Sequence, residues 1–277
     1  MANGFYLTLM AGLGVAVPVG QQVTDALTSA QVTVTSGAET QSGFQLTFNL
    51  SKNSPLETLF LLAGASVPPV IRVILVITVN GTPEVLIDGV VTKTQTKPGS
   101  GGGPNTLVVT GLDLTAAMDW IDFDGVPYPA MPPEARVALI LAKYAAFGVI
   151  PMVIPSVLID VPIPTEYIPK HQGTDLQYVT QLANDVGYVF YMKPGPVPGA
   201  SIAYWGPQIK VGVPQKALNI DMGPHTNVES LTFDFNAEKA ELPILLIHEP
   251  KSKAPIPIPV PAITPLNPPL GLVPPIP

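Results

Sequence analysis

Five carboxylates crowd one stretch of the chain: Asp113, Asp119, Asp122, Asp124 and Glu134, with no Lys or Arg between Lys97 and Arg136. Asp122 and Asp124, two residues apart, would share one strand face and could act as the acid/base pair of a glycoside hydrolase. Asp122-Phe123-Asp124-Gly125 opens like a calcium loop, but Val126 stands where the next ligand is needed and the pattern is lost thereafter. An acidic rim lining a channel is a third use, since like charge keeps passing nucleic acid or acidic polypeptide from sticking. The remaining reading is a solvated turn.

Nucleophilic and metal chemistry have less to work with. There is no Cys and no Gly-x-Ser-x-Gly elbow, which removes thiolate catalysis, disulfides and Cys-ligated metal. The three histidines, His171, His225 and His248, lie far apart, show no partner in sequence, fit no compact zinc spacing and read as surface or interface residues. Gly12-Leu13-Gly14 starts like a dinucleotide fingerprint, but its third glycine position is Val17; residues 99–103 lack the Lys-Ser or Lys-Thr of a P-loop. No residue is thus assigned a catalytic, cofactor-binding or metal-binding role.

Composition narrows the class. Charged residues are 12% of the 277, about half the usual quarter, so much of the surface is uncharged, as suits a surface covered by partners. The balance is acidic, at −7, which excludes the basic face of a specific nucleic-acid binder. At 47% hydrophobic, the chain can bury one large core or two small ones. Its first basic residue is Lys52, so no signal-peptide n-region is expected, and prolines and charges interrupt both long apolar stretches, 67–79 and 137–154. The expectation is a protein that is soluble, or soluble once assembled.

The elements that would position these residues are mostly strands. Residues 5–10, 30–35, 44–50, 70–79, 85–92 and 106–110 read as strands; in 44–50, Phe44, Leu46, Phe48 and Leu50 alternate with Gln45, Thr47 and Asn49. Asn80-Gly81 is a hairpin turn signal, and 97–105 a flexible loop. Five or more antiparallel strands suggest a small barrel or sandwich. Pro132-Pro133-Glu134 starts a helix with Val137, Ile140, Leu141 and Tyr144 on one face and Gly148 as its end. Five prolines mark 151–169 as an extended connector. Thr174 caps a second helix, with Asp175 in its first turn, an apolar stripe at Leu176, Val179, Leu182, Ala183 and Val186, and Gly187 as C-cap; strands follow at 188–192 and 231–235. Residues 250–277 hold 11 of the 34 prolines and favour polyproline II, an apolar tail expected to lie in a groove on a neighbouring subunit.

Four segments occur in a telling order: residues 85–91 (VLIDGVV), 108–114 (VVTGLDL), 172–191 (QGTDLQYVTQLANDVGYVFY) and 227–231 (NVESL). In this they resemble the tail-hub family of contractile phage tails and related injection systems, which includes the late control gene D proteins and the hub half of VgrG-type spikes. The resemblance spans roughly residues 5–240, and the positions that carry it are Gly89, Gly111, Asp113, Thr174, Asp175 and Gly187. It implies a mainly β fold with an α+β insert: a first barrel-like domain over 1–120, an α+β domain over 121–200, strands of a second, reduced barrel over 201–249, and the extended tail over 250–277. It departs from the family where only residues 231–248 remain for that second barrel, whose strands would otherwise come from 1–30 and 200–250.

The function implied is structural: a homotrimer around a central channel, in a phage tail baseplate or an extracellular or cytoplasm-assembled injection particle. Two barrel-like domains per subunit would present pseudo-sixfold symmetry to a hexameric tail tube protein. A separate central spike protein would sit below, because no needle is fused to the hub, with the tape measure protein and other baseplate subunits as further partners. No cofactor and no membrane span are implied. A wall-polysaccharide hydrolase using Asp122 and Asp124, and a β-sandwich adhesin whose tail docks in trans, are the alternatives.

Overall fold

The computed structural model describes residues 5–35, 41–51, 54–56, 59–60, 71–99, 104–156, 161–208, 217–228, 230, 232, 244–248 and 255–259. The chain divides into two units, Met1–Pro207 and Gln208–Pro277.

Seven strands of the first unit make one antiparallel sheet. They are β1 (Phe5–Leu13), β2 (Val17–Pro18), β3 (Leu27–Thr33), β4 (Gly43–Leu50), β5 (Ile71–Val79), β6 (Thr82–Lys97) and β7 (Asn105–Asp113), in the order β2-β1-β5-β6-β7-β4-β3. Period-two patterning explains the core. Leu9, Phe44, Leu46, Phe48, Val73, Leu75, Ile87, Leu107 and Val109 all feed one apolar cluster, which Val23 of the short helix α1 (Gln21–Ala26) joins. The Asn80-Gly81 turn forms as expected, with both residues in the left-handed region (φ 51° and 83°) that a two-residue hairpin needs. β6 is longer than the 85–92 read from sequence, and its pairings with β5 and β7 each shift register once, the signature of a bulge. Among the described residues the sheet does not close into a barrel: β2 and β3 are its two edges. β2 is two residues long and ends on Pro18, which brings no N–H to the sheet edge; the Val19 N–H still donates to the Leu9 carbonyl (3.1 Å).

The chain leaves β7 through a 3-10 turn (Leu114–Asp119) into α2 (Pro133–Ala142), β8 (Val149–Val153), α3 (Asp175–Asp185), β9 (Tyr188–Pro194) and β10 (Ser201–Pro207). The strands pair as β8-β10-β9, with β8 parallel and β9 antiparallel to β10. Ser201–Pro207, read from sequence as part of a second barrel, is the middle strand of this sheet. Val137, Ile140 and Leu141 of α2 and Val179, Leu182 and Ala183 of α3 bury against Trp205, Phe190 and Met192. One expectation is corrected: Pro151, assigned to a connector, lies inside β8. An edge strand tolerates it, because a missing N–H there costs no ladder bond when it faces outward.

In the second unit, Ala217–Val228 folds back on itself: the Asn219 N–H donates to Asn227 Oδ1 (2.7 Å) and the Asn227 N–H to the Asn219 carbonyl (3.0 Å). All of the strand expected at 231–235 except Thr232, and the end of the tail beyond Pro259, lie outside the described residues. Within the tail, Pro255–Pro259 is not free polyproline II. It forms β12, antiparallel to β11 (Ile244–His248), with Ile258 opposite Leu245 and Ile256 opposite Ile247. Ile256 and Ile258 carry the only N–H groups of β12, so they are its donors into the ladder; the prolines alternate with them.

Candidate functional site

Gly89, Gly111 and Asp113 meet where β6 crosses β7. Gly89 stands opposite Asp113, and Gly111 opposite Val91. A Cβ on Gly111 would sit 2.2 Å from the Phe44 ring and 2.4 Å from the Val90 carbonyl oxygen; one on Gly89 would sit 2.1 Å from the Leu112 carbonyl oxygen. Both are glycines because backbone and ring occupy the space. Asp113 is buried and caps the 3-10 turn, its Oδ1 accepting from the Thr115 N–H (3.0 Å) and hydroxyl and its Oδ2 from the Ser42 N–H (3.1 Å). Burial pushes its carboxyl above the ordinary value, against those hydrogen bonds.

Thr174 and Asp175 stand at the start of α3 and Gly187 just past its end. Thr174 and Gln177 form a capping box, and the Thr174 hydroxyl also donates to Asp119 Oδ1 (2.6 Å), at the far end of the turn that Asp113 caps. Asp113 and Thr174 are thus joined through one turn of chain. Gly187, in the left-handed region (φ 69°), ends the helix.

Asp175 is more than a helix-start residue. Fully buried, it accepts from Lys143 Nζ (2.6 Å) and the Tyr144 hydroxyl (2.7 Å). Burial, then the bond to Asp175, keep the Tyr144 phenol protonated far above its usual range. Lys143 Nζ also lies 3.8 Å from the centre of the Phe123 ring. His171 is corrected from a surface residue to a buried one. It has no solvent exposure, its Nδ1 is 2.8 Å from the Tyr128 hydroxyl, and its Nε2 is 3.5 Å from Asp175 Oδ1. Burial holds its imidazole below the ordinary value. Phe123, Tyr128 and Tyr178 surround the ring. The signal in sequence was the four-residue spacing of His171 and Asp175, hidden because it straddles a helix start.

Asp122 and Asp124 are not on a strand face. They occupy an exposed turn in which the Asp124 N–H donates to Asp122 Oδ1 (2.8 Å), and Gly125 follows at φ 88°. Glu134 is tied instead to the Ser156 N–H (2.8 Å). Gly12-Leu13-Gly14 makes a tight turn at the end of β1, where the Val15 N–H donates to the Leu13 carbonyl (2.8 Å). Among the described residues, no three His, Asp or Glu side chains group to hold a metal ion, and no helix is long and apolar enough to cross a membrane.

A second buried polar joint escaped the sequence reading. Arg72 of β5 and Asp88 of β6 form a two-pronged ion pair (2.7 and 2.6 Å) under the sheet. Arg72 also donates to the Gly199 carbonyl (3.1 Å) and the Ser201 hydroxyl to Asp88 Oδ2 (3.3 Å), which ties the seven-stranded sheet to the start of β10. The exposed surface, by contrast, is apolar in places: Tyr6, Leu13, Val15, Val17 and Val34 are all more than half exposed.

No family model and no curated protein sequence matches the chain. Solved structures do. A 43 kDa tail protein of prophage MuSo2 from Shewanella oneidensis is 17% identical over 71% of this chain and 53% of its own, with a TM-score of 0.43. A tail protein from Neisseria meningitidis MC58 is 12% identical over 72% of this chain and 50% of its own (TM-score 0.40). The Francisella PdpA-VgrG complex is 10% identical over 73% of this chain and 31% of that one (TM-score 0.47). The chain therefore spans about half the length of the tail proteins it is similar to.

Proposed function

We propose that this chain is a structural subunit of a phage-tail or related injection particle: three copies close around a bore, joining a hexameric tube to a central spike. The observation that carries the reading is the order of the four segments in the sequence together with how the first three lie in the fold. Gly89, Gly111 and Asp113 organise the seven-stranded sheet, and Asp113 leads through one turn to the cap of α3. In this reading the domains run 1–120, 121–200, 201–249 and 250–277, with Ser201–Pro207 completing the sheet of the second. The open sheet is a barrel-like wall completed in the assembly, and binding is the whole activity. Tube, spike, tape measure and other baseplate proteins are the partners, in a virion tail or an injection particle.

Two features support binding over catalysis. The two acids of the hydrolase alternative lie on a solvated turn, and the large exposed apolar side chains suit surfaces meant to be covered. The test is imaging of particles assembled with the full chain, with light scattering of the purified protein. Three copies about the particle axis, between tube and spike, are expected; a single copy, or copies placed peripherally, would overturn the reading.

A further inference from the structure

One flank of the first unit is built to receive something apolar. Between the end of β1, the edge strand β2 and α1 lies a groove of about 620 Å³, within the ~300–1,000 Å³ of specific ligand sites. Its lining includes Ala11, Leu13, Val17, Pro18, Val23 and Leu59, and none of its lining side chains carries a charge or a hydrogen-bonding group. Leu13 is 62% and Val17 57% exposed, so the groove presents apolar surface to water where the sheet ends. Pro18 blunts the strand edge beside it, which disfavours β-addition and leaves side-chain packing as the means of recognition.

The chain carries a segment of matching chemistry. Residues 260–277 contain seven prolines, no charged residue, and Thr264 and Asn267 as the only hydrogen-bonding side chains. A proline-rich segment gives up little entropy on docking, because its backbone is already restricted; aromatic-lined grooves are the usual receptors for such segments, and here the contacts are aliphatic instead. At about 3.1 Å per residue in polyproline II form, these residues would reach about 56 Å. We infer that the groove flanked by β1 and β2 seats residues 260–277 of a second copy of this chain. The inference rests on the assembly reading above, and gives it a subunit-to-subunit latch.

The absence of cysteine makes the test direct. Full-length Val17→Cys and Leu270→Cys chains are purified separately, mixed, allowed to assemble and oxidised with glutathione disulfide. A disulfide joining the two different chains is expected, at least tenfold in excess of that formed when Lys193→Cys, an exposed site on β9, replaces Val17→Cys. Adding Leu13→Asp to the Val17→Cys chain should lower the yield about tenfold, because a buried carboxylate has no partner in this lining. Equal yields at residues 17 and 193, or no disulfide between the two different chains, would each overturn the latch. Light scattering separates the two failures: a trimer that does not cross-link sinks the latch alone, whereas a single-copy mass sinks the assembly reading and the latch with it.

Discussion

Arg72 and Asp88 form a buried ion pair, and each needs the other. Removing one partner of such a pair leaves an uncompensated charge, which costs about 3–5 kcal/mol, whereas replacing both with apolar groups is often neutral. Asp88→Ala should therefore lower stability by about that amount in urea unfolding, and Arg72→Met with Asp88→Leu should recover most of the loss. His171 makes a pH-dependent contribution. Burial lowers its folded pKa below the unfolded value near 6.5, so the unfolded chain binds more protons as the solution acidifies. The stability linked to neutral His171 is present above about pH 6.5 and is lost as pH falls towards the lowered value, by up to ~1.4 kcal/mol per unit. Asp175, Lys143 and Asp122 modulate that charge. Urea midpoints between about pH 8 and pH 5 should fall more steeply for the native chain than for His171→Gln; equal slopes would exclude this role.

At the scale of elements, the glycines of the motif segments divide by cause. Gly111 is required by crowding, and a Cβ there meets the Phe44 ring and a carbonyl. Gly187 is required only by its left-handed backbone, with nothing within 4 Å of a Cβ. Gly111→Ala should cost about 1–3 kcal/mol through overpacking, and more than Gly187→Ala, as thermal unfolding of both variants would measure. Period two was visible in 44–50, where Phe44, Leu46 and Phe48 are the buried residues. The capped helix after Thr174 was equally visible, because caps and stripes are local signals. The polar joints were not. Arg72 pairs with Asp88 across a hairpin, and Asp175 collects Lys143 and Tyr144 from 31 or more residues away. Such pairings depend on register and packing, which a single sequence does not display. The strand pairing of Pro255–Pro259 was missed because alternating prolines suit polyproline II and a sheet edge equally well.

Across the whole chain charge is scarce, and among the described residues many large apolar side chains are exposed, Leu13, Val15 and Val17 at the end of the large sheet among them. Contacts made through such surfaces depend on water exclusion more than on ion pairing, and salt screens only the latter. The assembled mass should hold constant from about 0.05 M to about 0.5 M salt in light scattering; dissociation at the upper end would assign the contacts to charged pairs.

The alternation of proline and isoleucine in β12 has a consequence for proteins that gather many copies at one place. Its two donors are spent on β11, so the opposite rail of the strand offers an incoming backbone the proline carbonyls but no N–H. A strand added there could donate to those carbonyls but would receive no hydrogen bond in return. Runaway cross-β propagation, the hazard of crowding identical chains, is thereby disfavoured on that side by covalent chemistry, with no partner needed.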